Sequence, residues 1–188
     1  KAFVFDCQPN GRIAYVDLEN MQVLASYQTP GTLRSPYAGI INNAFNTLYV
    51  TAQQGNYIYK IDITDPLNPV INEMSLETGS PIDYNSSLNP YAIAFSPDES
   101  IYFVSCQKSS EVRIMQTSND SILNAIPLGV NPAEIEVSQN LPYLFVSCLG
   151  SIDTSKKSAV NIINYQTRST ITSVYAGHES RGIAVDDV

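Results

Sequence analysis

The sequence has few basic residues, a single histidine and no long apolar run. Only 10 of its 188 residues are Lys or Arg, and its net charge is −8. The chain therefore offers no basic face to neutralise nucleic-acid phosphates. No apolar run reaches the roughly 18 residues of a membrane span, and the first residues lack the charged, apolar and small-residue order of a signal peptide. We predict a soluble chain with no nucleic-acid partner and no direct membrane insertion.

Enzyme motifs are also missing from the sequence. It contains no G-x-S-x-G elbow and no Gly-rich phosphate loop, and one histidine cannot supply both a general base and a metal cluster. The three cysteines form no C-x-x-C pair of the kind that holds zinc or covalent haem. The sequence thus favours a non-catalytic domain and predicts no catalytic residue, no metal site and no cofactor.

What the chain does contain indicates β structure. Twelve Tyr and 11 Pro accompany short Val, Ile and Phe runs bounded by turn residues. No segment of ten or more residues shows a helical apolar stripe. With 44% hydrophobic residues, the chain can bury a substantial core. We therefore predict an all-β domain.

Internal repeats organise the whole sequence. One short motif recurs as VFDC (4–7), YVTA (49–52), FVSC (103–106) and FVSC (145–148). A first-strand segment recurs in step with it, as SPYAGII (35–41), NPYAIAF (89–95), NPAEIEV (131–137) and ESRGIAV (179–185). A third segment and a weaker fourth follow each motif. Four short strands per 42 to 54 residues are typical of a β-propeller blade, with boundaries near residues 35, 89, 131 and 179.

The segment from Pro90 to Pro132 resembles one full repeat of the YVTN-type β-propeller family. It has the proline, the apolar strand, the S-P-D turn, the Y-V-T-like strand and the closing G-x-x-P, and residues 48–64 match a second repeat. WD repeats match less well because Trp is absent. The resemblance implies four-stranded antiparallel blades and an exported, periplasmic or extracellular protein. The chain departs from the family where Cys or Ala replaces the Asn of the motif.

The repeats cover about four blades, and two ring sizes are open. Residues 181–188 could pair beside residues 1–8 and close a four-bladed ring across residues 1–188. Alternatively, the chain is an excerpt of a longer ring, because propellers can have up to 8 blades. We favour this alternative, with a ring of seven blades.

Two recurring residue types are interpreted as structural. Cys7, Cys106 and Cys148 occupy one repeat position, where Ala52 is the fourth member, so we predict buried thiols rather than reactive ones. Asp17, Asp62 and Asn164 end third strands, where Asx side chains bond nearby backbone amides. We favour this turn role over a calcium site.

The candidate ligand site lies in the connections that precede the first strands. In a propeller these connections converge on one mouth of the channel, and their donors suit a carboxylate, a phosphate or another small anionic ligand. The alternative is that they are ordinary polar turn residues, which we favour, and a metal- or haem-ligand role for the histidine is less favoured still. The candidates are Arg34, Asn89, Asn131, His178 and Arg181.

Two glutamates break the pattern of the first strands. Glu134 and Glu136 stand where the other repeats have small or apolar residues. A buried carboxylate must be paired, reach water or have a raised pKa, so these two are candidates for a functional site. A structural ion pair is the alternative that we favour.

Two functions remain open at this level. The first is a non-catalytic propeller that binds a small ligand or a protein partner as a scaffold, a role that the fold often has. The second is a propeller module of an exported haem- or quinone-containing redox assembly, which would need ligands from outside this stretch.

Overall fold

The computed structural model describes residues 1–31, 35–54, 56–76, 88–150 and 158–187. These residues form 15 β-strands and no helix. They divide into two compact units, Lys1–Pro90 and Tyr91–Val188. The all-β prediction is therefore confirmed. The sequence also indicates inserted loops at residues 77–90 and 150–159, and of these, residues 77–87 and 151–157 lie outside the described residues.

The first unit contains two antiparallel sheets whose strands follow chain order. The first sheet has three strands, β1 (Ala2–Phe5), β2 (Arg12–Asp17) and β3 (Gln22–Gln28). The second has four, β4 (Pro36–Ile41), β5 (Thr47–Ala52), β6 (Tyr57–Asp62) and β7 (Val70–Ser75).

The second unit contains two four-stranded sheets with the same order. The third sheet has β8 (Pro90–Phe95), β9 (Ile101–Cys106), β10 (Glu111–Gln116) and β11 (Ile122–Pro127). The fourth has β12 (Pro132–Val137), β13 (Tyr143–Cys148), β14 (Ser158–Asn164) and β15 (Ser169–Gly177). First strands thus begin next to the predicted boundaries at 35, 89 and 131.

The hairpin turns are made by residues that accept a left-handed backbone. Asp120 and Arg168 have φ of 56° at equivalent places in the third-to-fourth-strand turns of the two sheets of the second unit. Such values are uncommon for residues with a Cβ, and they mark tight turns that reverse the chain.

Each unit has its own hydrophobic core, built from the inward side chains of its two sheets. In the first unit the fully buried members are Ile13, Val50, Ala52 and Tyr59, with Leu48 and Ile61 1% exposed. In the second unit they are Phe103, Val112, Ile114, Leu144, Val146 and Ile163. Most of these residues belong to second and third strands, which have a neighbour on each side in the sheet.

A hydroxyl in the repeated motif supports the first strand of each four-stranded sheet. Thr51 Oγ1 accepts a hydrogen bond from the Ala38 amide at 3.1 Å, and Ser147 Oγ accepts from the Glu134 amide at 3.1 Å. In β4 and β12 the register shifts beside these amides, between Pro36 and Gly39 and between Pro132 and Ile135. The hydroxyl thus satisfies an amide that the irregular ladder leaves without a backbone partner.

Ser105 has the same role and adds a second contact. Its Oγ accepts from the Ala92 amide at 2.9 Å and donates to the Ala133 carbonyl at 2.6 Å. Since Ala92 lies in β8 and Ala133 in β12, this buried hydroxyl joins the third sheet to the fourth.

The prediction of a first strand at residues 179–185 was wrong, because the described residues 178–187 form no strand. A strand needs a ladder partner, and the described strands provide none for this segment. The segment is held instead at its end, where the Asp187 carboxylate accepts from Ser138 Oγ and from the Gln139 amide (2.7 Å). Asn140 Nδ2 donates to the Asp187 carbonyl at 2.7 Å.

Candidate functional site

The residues predicted to surround a channel mouth fall in different parts of the structure. Arg34 lies outside the described residues, and Asn89 belongs to the first unit. Asn131 is half-buried in the second unit, where His178 and Arg181 are exposed. Their role as one anion-binding site stays a prediction.

The two asparagines of this set hold the backbone in a turn. Asn89 and Asn131 have φ of 54° and 56° directly before the proline that begins a first strand. Asn accepts this left-handed conformation more readily than most residues. Asn131 Nδ2 donates to the Gly150 carbonyl at 2.9 Å, and the Leu149 amide donates to the Asn131 carbonyl at 3.0 Å. Asn131 therefore ties the start of β12 to the connection after β13.

Glu134 and Glu136 lie in β12 and are half-buried. Phe145 of β13 is opposite Glu136, and the Glu134 amide is the one bonded by Ser147. A functional role for these two carboxylates stays a prediction.

The thiols divide into two groups. Cys106 and Cys148 are fully buried, as predicted, but Cys7 is exposed, so that part of the prediction was wrong. The reason is local: the described β1 pairs with β2 alone, whereas β13 has β12 and β14 on its two sides. Burial raises the pKa of Cys148 to about 11, although a hydrogen bond from the Gly129 amide and one from Asn161 Nδ2 (3.1 Å) act in the opposite direction.

The Asx residues that end third strands act as turn caps, which confirms their structural interpretation. Asp62 Oδ1 accepts from the Thr64 amide at 2.9 Å, and Asn164 Oδ1 accepts from the Gln166 amide at 3.0 Å. Asp17 does the same for the Glu19 amide at 3.0 Å and also pairs with Lys1. The Lys1 ammonium, followed by Asn20 Nδ2, holds the pKa of Asp17 well below its usual range.

A pocket of about 440 Å³ opens in the second unit, and we call it the turn pocket. It is lined by the β8–β9 turn, the β12–β13 turn, the β14–β15 turn and apolar side chains from the strands beneath. These turns lie at one end of the strands of the third and fourth sheets. Asn131 is at the other end of β12, so the turn pocket differs from the site predicted from the sequence.

Asp98 places a fixed carboxylate in the turn pocket. Its Oδ1 accepts from Ser96 Oγ at 2.7 Å, Ser100 Oγ at 2.9 Å and the Ser100 amide at 3.1 Å. The Ser96 bond first, and the Ser100 bonds with it, lower the pKa of Asp98. The carboxylate is therefore ionised and oriented at neutral pH.

Tyr165 and Arg168 come from the β14–β15 turn. The Tyr165 ring packs on Phe103 with centroids 5.3 Å apart, and its amide donates to the Pro142 carbonyl at 3.0 Å. Partial burial and, secondarily, the charge of Asp98 raise the pKa of Tyr165, so its phenol keeps its proton at neutral pH. Arg168 Nη1 donates to the Leu123 carbonyl at 3.3 Å, which directs the guanidinium along the pocket wall.

Sequence reasoning missed this pocket. Asp98 was visible only as part of the S-P-D turn motif, and nothing local connects it with Tyr165 or Arg168, almost 70 residues further along the chain. A signal existed in the repeat alignment. In a meander, the turn between the first and second strands and the turn between the third and fourth strands lie at the same end of the sheet.

The first unit has a smaller and more apolar pocket of about 240 Å³. Its lining includes Phe3, Tyr15, Ile41 and Phe45. The Phe3 and Tyr15 rings pack with centroids 5.0 Å apart. Lys1 also lines it and pairs with Asp17, and the rest of the lining is mainly apolar.

The described part of the chain lacks a metal-binding cluster and a membrane-spanning helix. It contains no group of three or more His, Cys, Asp or Glu residues arranged to hold a metal ion. It also contains no helix long and apolar enough to cross a membrane.

Comparison with known proteins places the fold. No family model and no curated protein matches the sequence. The structure is similar to a hydrazine synthase chain from Kuenenia stuttgartiensis, with a TM-score of 0.70 and 15% identity over 88% of this chain and 43% of that one. It is also similar to a candidate 6-phosphogluconolactonase from Bacteroides uniformis, with a TM-score of 0.69 and 14% identity over 98% and 59%.

A third similar structure is a protein of unknown function from Desulfotomaculum acetoxidans, with a TM-score of 0.63 and 17% identity over 89% of this chain and 50% of that one. The chain thus spans about half the length of the solved structures that it matches. Together with the four antiparallel sheets, the likeness shows a β-propeller fold and is consistent with a partial propeller.

Proposed function

We propose that this chain is a YVTN-type propeller domain that binds a small ligand or a protein partner and acts as a non-catalytic, exported scaffold. The observation that carries the proposal is the turn pocket, because its polar groups converge above an apolar floor on two packed sheets. Such pockets are the usual form of small-molecule sites. The YVTN assignment rests on the repeat motifs, and export rests on that assignment.

Pre-organisation supports binding at this pocket. The Asp98 carboxylate is held by three hydrogen bonds, and the Tyr165 ring is held by Phe103. Groups that are already ordered lose little conformational entropy when a ligand binds, so more of the interaction energy appears as affinity. The predicted channel-mouth residues are kept as a second proposed surface, suited to an anionic ligand or a partner protein.

The test is saturation-transfer NMR with a varied panel of small polar molecules. In the variant Gln166→Trp, an indole ring replaces an exposed side chain of the pocket lining. The matched control is Ser118→Trp, at the equivalent exposed turn position of the third sheet and outside the lining. We expect saturation transfer to at least one molecule, lost in Gln166→Trp and kept in Ser118→Trp. Binding by no molecule, or equal binding by both variants, would contradict a ligand site here.

A module of a haem- or quinone-containing redox assembly is the alternative function. The observation on its side is the fold shared with the hydrazine synthase chain. A visible absorbance spectrum of the protein purified from its native source separates the two: a Soret band would favour the redox module, and a spectrum without visible bands would favour the scaffold. The intact mass of the same sample would show whether this stretch is part of a longer ring.

A further inference from the structure

The ionic groups of the turn pocket balance. Asp98 contributes one negative charge and Arg168 one positive charge, while the other polar lining side chains are hydroxyls, a phenol and amides. A pocket for an anion would carry an excess of cationic donors, as an Arg cluster does. The lining side chains carry no net charge, and the Asp187 carboxylate, which accepts from the Gln139 amide at 2.7 Å, adds a negative charge beside them, so Coulomb attraction does not favour an anionic ligand.

The lining offers hydrogen-bond donors and acceptors side by side. Arg168 carries five N–H donors, of which Nη1 makes one contact with Leu123. Asp98 is an acceptor, and the side-chain amides of Gln139, Asn140 and Gln166 each have one carbonyl and one NH₂ group. Gln139 Nε2 already donates to the Val137 carbonyl at 3.3 Å and Asn140 Nδ2 to the Asp187 carbonyl at 2.7 Å, so each of these two keeps one further N–H. A hydroxyl group both donates and accepts, so a molecule with several hydroxyls can satisfy such a mixed set where a purely anionic group cannot.

The floor of the pocket is apolar. Ile114 is fully buried beneath it, and Ile101, Leu123 and the Tyr165 ring complete that side. A pyranose ring has C–H groups on its faces and hydroxyls on its rim, which matches an apolar floor surrounded by polar side chains. The volume of about 440 Å³ is within the range of small-ligand sites and has room for a mono- or disaccharide.

We propose that the turn pocket binds a neutral, hydroxyl-rich small molecule of the size of a mono- or disaccharide. This inference rests on the proposed binding function and adds the ligand class. It also separates the turn pocket from the channel-mouth residues, for which the sequence predicted an anionic ligand.

The experiment is calorimetric titration with neutral sugars and matched anions. The neutral set is glucose, N-acetylglucosamine, maltose and cellobiose, and the anions are glucuronate and glucose 6-phosphate. We expect at least one neutral sugar to bind and the anions to bind no better. Gln166→Trp should weaken that binding at least about tenfold, and Ser118→Trp should leave it within about threefold.

Charge dependence provides an independent readout. Arg168→Gln removes the positive charge and some of the hydrogen-bond donors, so neutral-sugar binding should weaken by about tenfold or less and should not be abolished. It should also be insensitive to salt up to about 0.5 M, because no net charge is being screened. An anionic ligand would lose much more than tenfold in Arg168→Gln and would bind more weakly as the salt concentration rises.

Three outcomes would overturn the inference. If the anions bind more tightly and Arg168→Gln abolishes that binding, the ligand class is wrong. If no sugar binds while other molecules of the NMR panel bind in the pocket, the sugar proposal fails and the binding function stands. If nothing binds there in either experiment, both proposals fall together.

Discussion

The first and fourth sheets carry the same repeated motif in two different surroundings. In the fourth sheet Ser147 is 1% exposed and Cys148 is fully buried, whereas Asp6 and Cys7, the matching residues of the first sheet, are exposed. β13 lies between β12 and β14, but the described β1 has only β2 beside it. Burial at this motif is therefore a property of strand pairing, and the motif letters alone do not determine it.

The largest expected contrast is in thiol reactivity. When the native protein is treated with iodoacetamide, we expect Cys7 to react and Cys148 to be protected about a thousandfold or more, because a fully buried thiol is modified only when its surroundings open. The measurement is peptide mass spectrometry over time. In urea the thiols should react at similar rates, which is the control. Equal rates for Cys7 and Cys148 in the native protein would break the comparison.

A smaller contrast is expected when the neighbouring side chain is shortened. Ser147→Ala removes the acceptor of the Glu134 amide, and a buried unsatisfied group costs about 1–3 kcal/mol of unfolding free energy. Asp6→Ala at the equivalent exposed position should change it by no more than about 0.5 kcal/mol.

Urea unfolding followed by circular dichroism measures both variants, since the chain has no Trp to report fluorescence. Similar losses in the two variants would mean that the hydroxyl does not support β12.

The smallest effect concerns acid stability of the first sheet. Asp17 ends β2 where Asn164 ends β14, and its carboxyl pKa is lowered by Lys1 and Asn20. A lowered folded-state pKa stabilises the protein above the ordinary Asp pKa of about 3.9, and this contribution is lost as the pH falls through the folded-state value.

Asp17→Asn copies the residue of the fourth sheet and removes that dependence. We expect the melting temperature of the wild type to fall somewhat more steeply than that of Asp17→Asn below about pH 4. Lys1→Met, which keeps the carboxylate but removes its partner, is the control and should lie between the two. Superimposable pH profiles would mean that Asp17 makes no net contribution.

The sequence predicted the repeated architecture well because its signals are local. Alternating apolar residues and turn residues recur in step, so first strands were expected near Pro36, Pro90 and Pro132, where they begin. The same reasoning failed at residues 179–185, because an apolar segment becomes a strand only where a partner strand accepts its hydrogen bonds.

The candidate site was less predictable because it depends on distant turns. Asn131 was proposed as a ligand donor, but its amide bonds the Gly150 carbonyl and its backbone makes the turn before β12. Asp98 and Arg168 line one pocket only after the third and fourth sheets pack together. The repeat alignment shows at which end of the sheet each turn lies, but it does not show which turns have a pocket between them.

The Ser105 hydroxyl, which bonds Ala92 in β8 and Ala133 in β12, has a consequence for how such a domain grows by duplication. The connector between the third and fourth sheets lies inside the repeat itself, in one atom of a second-strand motif. A duplicated segment that keeps this serine brings its own joint, whereas Thr51 at the matching position of the second sheet donates within that sheet, to the Ala38 carbonyl at 3.3 Å. Among copies that keep the serine, the turns can diverge and diversity of binding can accumulate there without loss of the joint.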